Sequence, residues 1–176
     1  PRRQVTEQPP ADDASRAPEH PDAVHRLVAE LAAKNLTVAV AESLTGGLIM
    51  AALTSVPGVS RVFRGGVVAY ATDTKESMLG VDAELLETSG AVDPDVAEQM
   101  AVGVRERFDV SFGLSSTGVA GPDDQDGKSP GLVFVAVSAP FGVWHRELLL
   151  EGDRSAVRTR AGIAALELLS DVLARV

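Results

Sequence analysis

The stretch Leu36-Thr37-Val38-Ala39-Val40-Ala41-Glu42-Ser43-Leu44-Thr45-Gly46-Gly47 decides the architecture. Leu36 to Ala41 is short, apolar and valine-rich, which suits a buried strand of a sheet covered on both faces. A helix is expected directly after it, from about Ser43 to Val56, closed by Pro57 and Gly58. Upstream, Val24, Leu27, Val28, Leu31 and Ala32 fall on one helical face that ends near Asn35. Downstream, the spacing predicts a strand over Gly66 to Ala71 and short helices over Asp73 to Leu79 and Asp82 to Thr88. Asp93 and Pro94 are a cap and a first-turn proline, opening a helix through Val96, Met100, Val104 and Phe108. Val110 to Ser116 reads as the next strand. Leu132 to Ala139 and Val143 to Leu150 read as a hairpin around Pro140, Phe141 and Gly142, and Asp153 opens a C-terminal helix. Alternating elements with one late hairpin predict an α/β fold, a three-layer α/β/α sandwich around a mixed, mostly parallel sheet of about five strands.

The 176 residues suffice for one domain with its own core. Residues 1–22, with five of the ten prolines and little to bury, read as a disordered tail, and 23–176 as the folded domain. With no cysteine, thiol nucleophiles, thiolate metal sites and disulfides are excluded, and a cytoplasmic setting is expected. A net charge of −9 disfavours nucleic acid as a partner, since phosphate backbones are bound largely through Lys and Arg. No run approaches the ~18 apolar residues of a membrane span, and no basic-then-apolar leader pattern opens the chain. The three histidines, His20, His25 and His145, share no metal-ligand spacing. Neither metal nor cofactor is expected.

Three segments could carry chemistry. The first is the strand-to-helix junction at Ser43, since ligands collect at the carboxyl ends of strands in open α/β sheets and free helix amides there can hold an oxyanion. The same residues would equally serve as an N-cap, with Gly46 and Gly47 easing packing. The second is Tyr70-Ala71-Thr72-Asp73-Thr74-Lys75. Tyr70 is the only tyrosine, and Lys75 is one of three lysines among 16 basic residues. A desolvated lysine can give up its proton, which a guanidinium does not, so Lys75 could act as base for a serine; a solvated lysine opening a helix is the plain alternative. The third is Ser116-Thr117-Gly118-Val119-Ala120-Gly121-Pro122, whose amides could cradle a phosphate. The run Asp123 to Ser129 after it reads as a mobile, solvated loop. Arg154, opening the last helix, could grip a phosphate or simply neighbour Asp153.

Four motifs in register, Ala-Glu-Ser-x-Thr-Gly-Gly at 41–47, Tyr-x-x-x-x-Lys at 70–75, Gly-Val-Ala-Gly-Pro at 118–122 and Gly-Asp-Arg at 152–154, resemble the CinA C-terminal domain family. Gly-Ala-Val at 90–92 also looks like a stretch of that family. The likeness runs from about Val24 to the C-terminus. In larger members this domain follows a separate nucleotide-pyrophosphatase domain, with no counterpart expected here. Stand-alone members are similar to nicotinamide-nucleotide amidohydrolases, which convert nicotinamide mononucleotide and water to nicotinic acid mononucleotide and ammonia. The resemblance therefore implies Ser43 as nucleophile, Lys75 as general base and Tyr70 as a positioning or relaying group. It implies substrate contacts from Glu42, Thr45, Gly46, Gly47, Gly118, Ala120, Gly121 and Arg154, with amides of 45–47 forming the oxyanion hole. It also implies a homodimer. Leu44, Thr72 and Leu132 depart from the family's frequent small residue or Cys, Asn and Thr at those places. They keep open a domain that binds a nucleotide or protein without turnover, and an amidase for another small amide.

Overall fold

The alternation legible in the sequence folds into a five-stranded sheet with helices on both faces, described by a computed structural model over residues 20–176. Residues 1–19, most of the expected tail, lie outside the described residues. In chain order the elements are α1 (His20–Ala33), β1 (Val38–Glu42), α2 (Leu48–Thr54), a 3-10 turn (Val59–Arg61), β2 (Phe63–Val68), α3 (Thr72–Leu79), α4 (Ala83–Ser89) and α5 (Pro94–Phe108). They continue through β3 (Phe112–Gly118), β4 (Leu132–Ala139), β5 (Gly142–Leu149) and α6 (Arg154–Leu173). The sheet order is β2-β1-β3-β4-β5, parallel from β2 to β3 and antiparallel across β4 and β5. Four strands thus share one direction and β4 alone is reversed, as a mixed, mostly parallel sheet requires. Among the described residues no helix is long and apolar enough to cross a membrane.

Strand periodicity divides the two faces. Val38 and Val40 pack with Ile49, Leu53 and the apolar stripe of α6, on the face that α1, α2 and α6 cover. Ala39 and Ala41 point the other way, toward Val96, Met100 and Val104 of α5. The residues on this second face are small because α5 lies almost on the sheet: a Cβ at Gly113 of β3 would sit 2.0 Å from the Ala101 carbonyl oxygen. Asp93 fixes the start of α5 by accepting from the Asp95 amide, with Pro94 in the first turn, and Asp153 caps α6 through the Ala156 amide.

Of the boundaries that differ from expectation, two shape the site. β2 ends at Val68 rather than Ala71, because past the Ala69 amide, which donates to the Glu42 carbonyl, the chain leaves the ladder toward α3. α2 begins at Leu48 rather than Ser43, since Gly46 and Gly47 adopt φ of 57° and 102°, which no right-handed helix accommodates. From β1 the chain passes through α2 to β2, and from β2 it returns through α5 to β3 on the other side of β1. The carboxyl ends of β1 and β3 therefore border the point where the connections part, the place at which such sheets form their ligand crevice.

Candidate active site

Glu42 and Ser43 are neighbours in sequence on opposite sides of the sheet, and that separation builds the site. Glu42, fully buried, turns toward α2: its carboxylate accepts from the amides of Gly47 (2.8 Å), Ile49 (3.2 Å) and Met50 (2.8 Å). Three of the amides that open the helix are thus satisfied by one side chain, at the end where the macrodipole favours an anion. This corrects the expectation that Glu42 contacts substrate. It also removes the N-cap alternative for Ser43 and Thr45, because α2 receives no cap from either hydroxyl. Glu42→Ala should lower unfolding stability by about 3 kcal/mol, the cost of leaving several amides buried without an acceptor. A shifted urea midpoint at unchanged slope is the readout, with Glu42→Gln closer to wild type; an Ala variant as stable as wild type would contradict this role.

Ser43 turns toward α3. Its amide donates to the Ser116 carbonyl at 3.0 Å, fixing the turn to β3, and its Oγ accepts from Lys75 Nζ at 3.1 Å. Lys75 also donates to the Ala69 carbonyl at 2.8 Å and is 0% exposed. It shares the inner face of α3 with Leu79, four residues on, while most of that short helix faces solvent. Among the described residues no carboxylate pairs with it. Burial without a counterion disfavours the ammonium and lowers its pKa from 10.5 to about 8. The expected desolvated lysine thus stands beside a serine: a hydroxyl within hydrogen-bond reach of an amine whose pKa is lowered to about 8, an arrangement with which a base could activate a nucleophile.

A cleft of about 370 Å³ opens at Ser43, lined among others by Tyr70, Gly118, Ala120, Gly121 and Arg154. Arg154 spans its mouth, donating to the Tyr70 hydroxyl at 2.6 Å and to the Gly121 carbonyl at 2.8 Å. Tyr70 is 55% exposed and bonded to Arg154, not to Ser43 or Lys75, so it stands in the cleft wall rather than in a proton relay. Of the loop expected to cradle an anion, Gly118 pairs with β4 and the Val119 amide donates to Leu132. That leaves the amides of Ala120 and Gly121 without an acceptor among the described residues.

The expected oxyanion donors shift as well. The Gly46 amide donates to the Ser43 carbonyl and the Gly47 amide to Glu42, so neither is free. The amides of Leu44 and Thr45, directly after Ser43, are the ones that no acceptor among the described residues takes. The Thr45 side chain is committed to Ser116 Oγ at 2.7 Å. Leu44 itself is buried in the core with residues of α2 and α6.

Sequence reading missed two supports. Arg158, one helical turn after Arg154, donates from Nε to the Leu44 carbonyl (2.9 Å) and from a terminal nitrogen to that of Thr45 (3.0 Å). The signal was the spacing of four between two arginines on one helix. The loop read as solvated is tethered: Lys128 donates to the carbonyls of Ser89 (2.8 Å) and Val92, and Asp126 accepts from the Ala91 amide.

A family model described as CinA C-terminal domain matches residues 21–173. A CinA-like protein of Frankia casuarinae is 48% identical over 144 residues, 82% of this chain and 33% of that protein. A putative competence-damage inducible protein of Desulforamulus reducens is 50% identical over 138 residues, 78% of this chain and 34% of its own length. The chain thus spans about a third of these curated relatives. Among solved structures, the competence/damage inducible protein CihA of Agrobacterium tumefaciens superposes with a TM-score of 0.85 at 37% identity, covering 91% of this chain and 99% of that one. A CinA superfamily protein from Klebsiella pneumoniae gives 0.86 at 27% identity, covering 90% and 100%.

Proposed function

Because the chain belongs to the CinA C-terminal domain family, we propose that it is an amidohydrolase that deamidates nicotinamide mononucleotide, with Ser43 as nucleophile and Lys75 as general base. The observation that carries this reading is the 3.1 Å bond between Ser43 Oγ and a buried lysine with no counterion among the described residues. Neutral Lys75 takes the hydroxyl proton as Ser43 attacks the carboxamide carbon. The negative charge that develops on the carbonyl oxygen goes to the amides of Leu44 and Thr45, where loss of a single donor is worth about 3 kcal/mol. The lysine ammonium then protonates the amide nitrogen, ammonia leaves, and the acyl group remains as an ester on Ser43. Water, deprotonated by the same lysine, attacks that ester, the lysine returns the proton to Ser43 Oγ as the ester bond breaks, and nicotinic acid mononucleotide is released. The substrate's pyridinium makes the carboxamide more electrophilic, so the chemistry asks only for a base, a nucleophile and oriented amides.

Arg154 and the free amides of Ala120 and Gly121 suit the phosphate end. Binding there exchanges Arg154's bonds to Tyr70 and Gly121 for bonds to a dianion, which are stronger because they are charge-assisted. The test is ammonia release from nicotinamide mononucleotide, its unphosphorylated nucleoside and nicotinamide, with nicotinic acid mononucleotide identified as product. The mononucleotide should be preferred. Arg154→Gln should raise its KM roughly 10- to 100-fold, the worth of one charged hydrogen bond, and leave kcat nearly unchanged. A folded protein that binds the nucleotide yet releases no ammonia from it would replace this reading with that of a non-catalytic nucleotide-binding domain.

A further inference from the structure

Arg158 lies outside the chemistry above, yet it holds the turn on which that chemistry depends. Its guanidinium reaches from the second turn of α6 to two successive carbonyls, those of Leu44 and Thr45, at 2.9 and 3.0 Å. The two bonds join α6 to a turn 114 and 113 positions earlier in the chain, so they are tertiary contacts that formation of the helix does not itself require.

What the guanidinium fixes follows from peptide geometry. In a planar trans peptide the N–H lies opposite the C=O. Holding the Leu44 carbonyl on Arg158 therefore aims the Thr45 N–H away from α6, and holding the Thr45 carbonyl fixes the next peptide, whose Gly46 N–H closes on the Ser43 carbonyl. We infer that Arg158 is a positioning residue: its fork locks the 44–46 peptides so that Ser43 and the Thr45 amide keep the mutual geometry that acyl transfer needs. The inference rests on the amidohydrolase reading for its substrate but not for its geometry.

The experiment compares wild type, Arg158→Gln and Arg158→Lys in three readouts: steady-state kinetics on nicotinamide mononucleotide, the pH midpoint of kcat, and the rate at which a fluorophosphonate labels Ser43, followed by intact mass. In that labelling the Ser43 oxygen–phosphorus bond forms, fluoride leaves and Lys75 takes the proton, so it probes nucleophile and oxyanion site without the nucleotide. Arg158→Gln should lose roughly 100-fold in kcat, the scale of a small displacement of reacting groups, with KM within about twofold. Labelling should slow in parallel. The pH midpoint should stay near 8, since Lys75 and its burial are untouched. Arg158→Lys, able to keep one of the two bonds, should fall between. Wild-type kcat and labelling in folded Arg158→Gln would overturn the assignment, as would a rise in KM with kcat retained, which would make Arg158 a substrate contact. Losses that track melting temperature with no recovery in the lysine variant would overturn it too. Arg158-dependent labelling in a wild-type protein inert toward the nucleotide would overturn only the substrate reading.

Discussion

Ser43→Ala should abolish ammonia release, by a factor of roughly 10⁴ or more, and should accumulate no acyl-enzyme by intact mass. No neighbouring hydroxyl can replace it. Thr45 Oγ1 is bonded to Ser116, Ser115 Oγ donates to the Ala97 carbonyl and Thr117 Oγ1 to that of Ala91, each at 2.7 Å or less. All four side chains are buried and committed to the packing of β3, so recruiting one would leave another polar group unpaired. The loss should also be clean in structural terms. Among the described residues Ser43 Oγ bonds to Lys75 alone, and Lys75 retains the Ala69 carbonyl when the hydroxyl goes. The variant should therefore unfold within about 1 kcal/mol of wild type and still bind the nucleotide. Nucleophile and base act as a unit, so Ser43→Ala combined with Lys75→Met should be no slower than either alone. Retained turnover in Ser43→Ala, or an acyl group mapped to another residue, would end the serine mechanism.

How far the sequence could be read depended on whether a feature was local or made between distant residues. Asp93-Pro94 announced the start of α5 because a cap and a first-turn proline act within one turn. The α/β/α order was legible because short apolar runs suited to buried strands alternate with runs of period 3.6 along the chain. Ser43 and Lys75 could be named, but their contact crosses 32 positions and is closed by β2 leaving the sheet at Ala69, which no local pattern signals. Glu42 shows the opposite error. As a charged residue in a motif it looked like a substrate contact, whereas the alternation Val38, Val40, Glu42 already set it on the α2 side of the sheet. Its role follows from strand period, not from the motif in which it stands. Arg158 and Lys128 act on backbone carbonyls, which every residue carries, so the spacing of Arg158 from Arg154 could set both on one helix face without marking which carbonyls it holds.

Lys75→Arg should be as inactive as Ser43→Ala although it keeps the charge, because a guanidinium does not release its proton near neutral pH. In wild type, activity should rise about tenfold per pH unit below pH 8 and level off above it, as Lys75, with its pKa lowered to about 8, becomes the free base. The same burial predicts how stability responds to pH. Between about 8 and 10.5 the unfolded chain holds the lysine proton and the folded chain has lost it, so the unfolded state binds more protons and stability rises with pH across that window. The gain totals about 3 kcal/mol. Below pH 8 both states carry the proton, and the folded protein bears the full penalty of a buried ammonium. Lys75→Met, which removes that charge from a site with no counterion among the described residues, should therefore be inactive yet more stable than wild type at pH 7. Its advantage should shrink as the pH is raised to 10. Urea midpoints of the two proteins at pH 7, 8.5 and 10 decide the matter, because only a lysine that is neutral in the folded state makes their difference depend on pH in this direction. A constant difference would show that Lys75 keeps its proton throughout, and a lysine that keeps its proton cannot be the base.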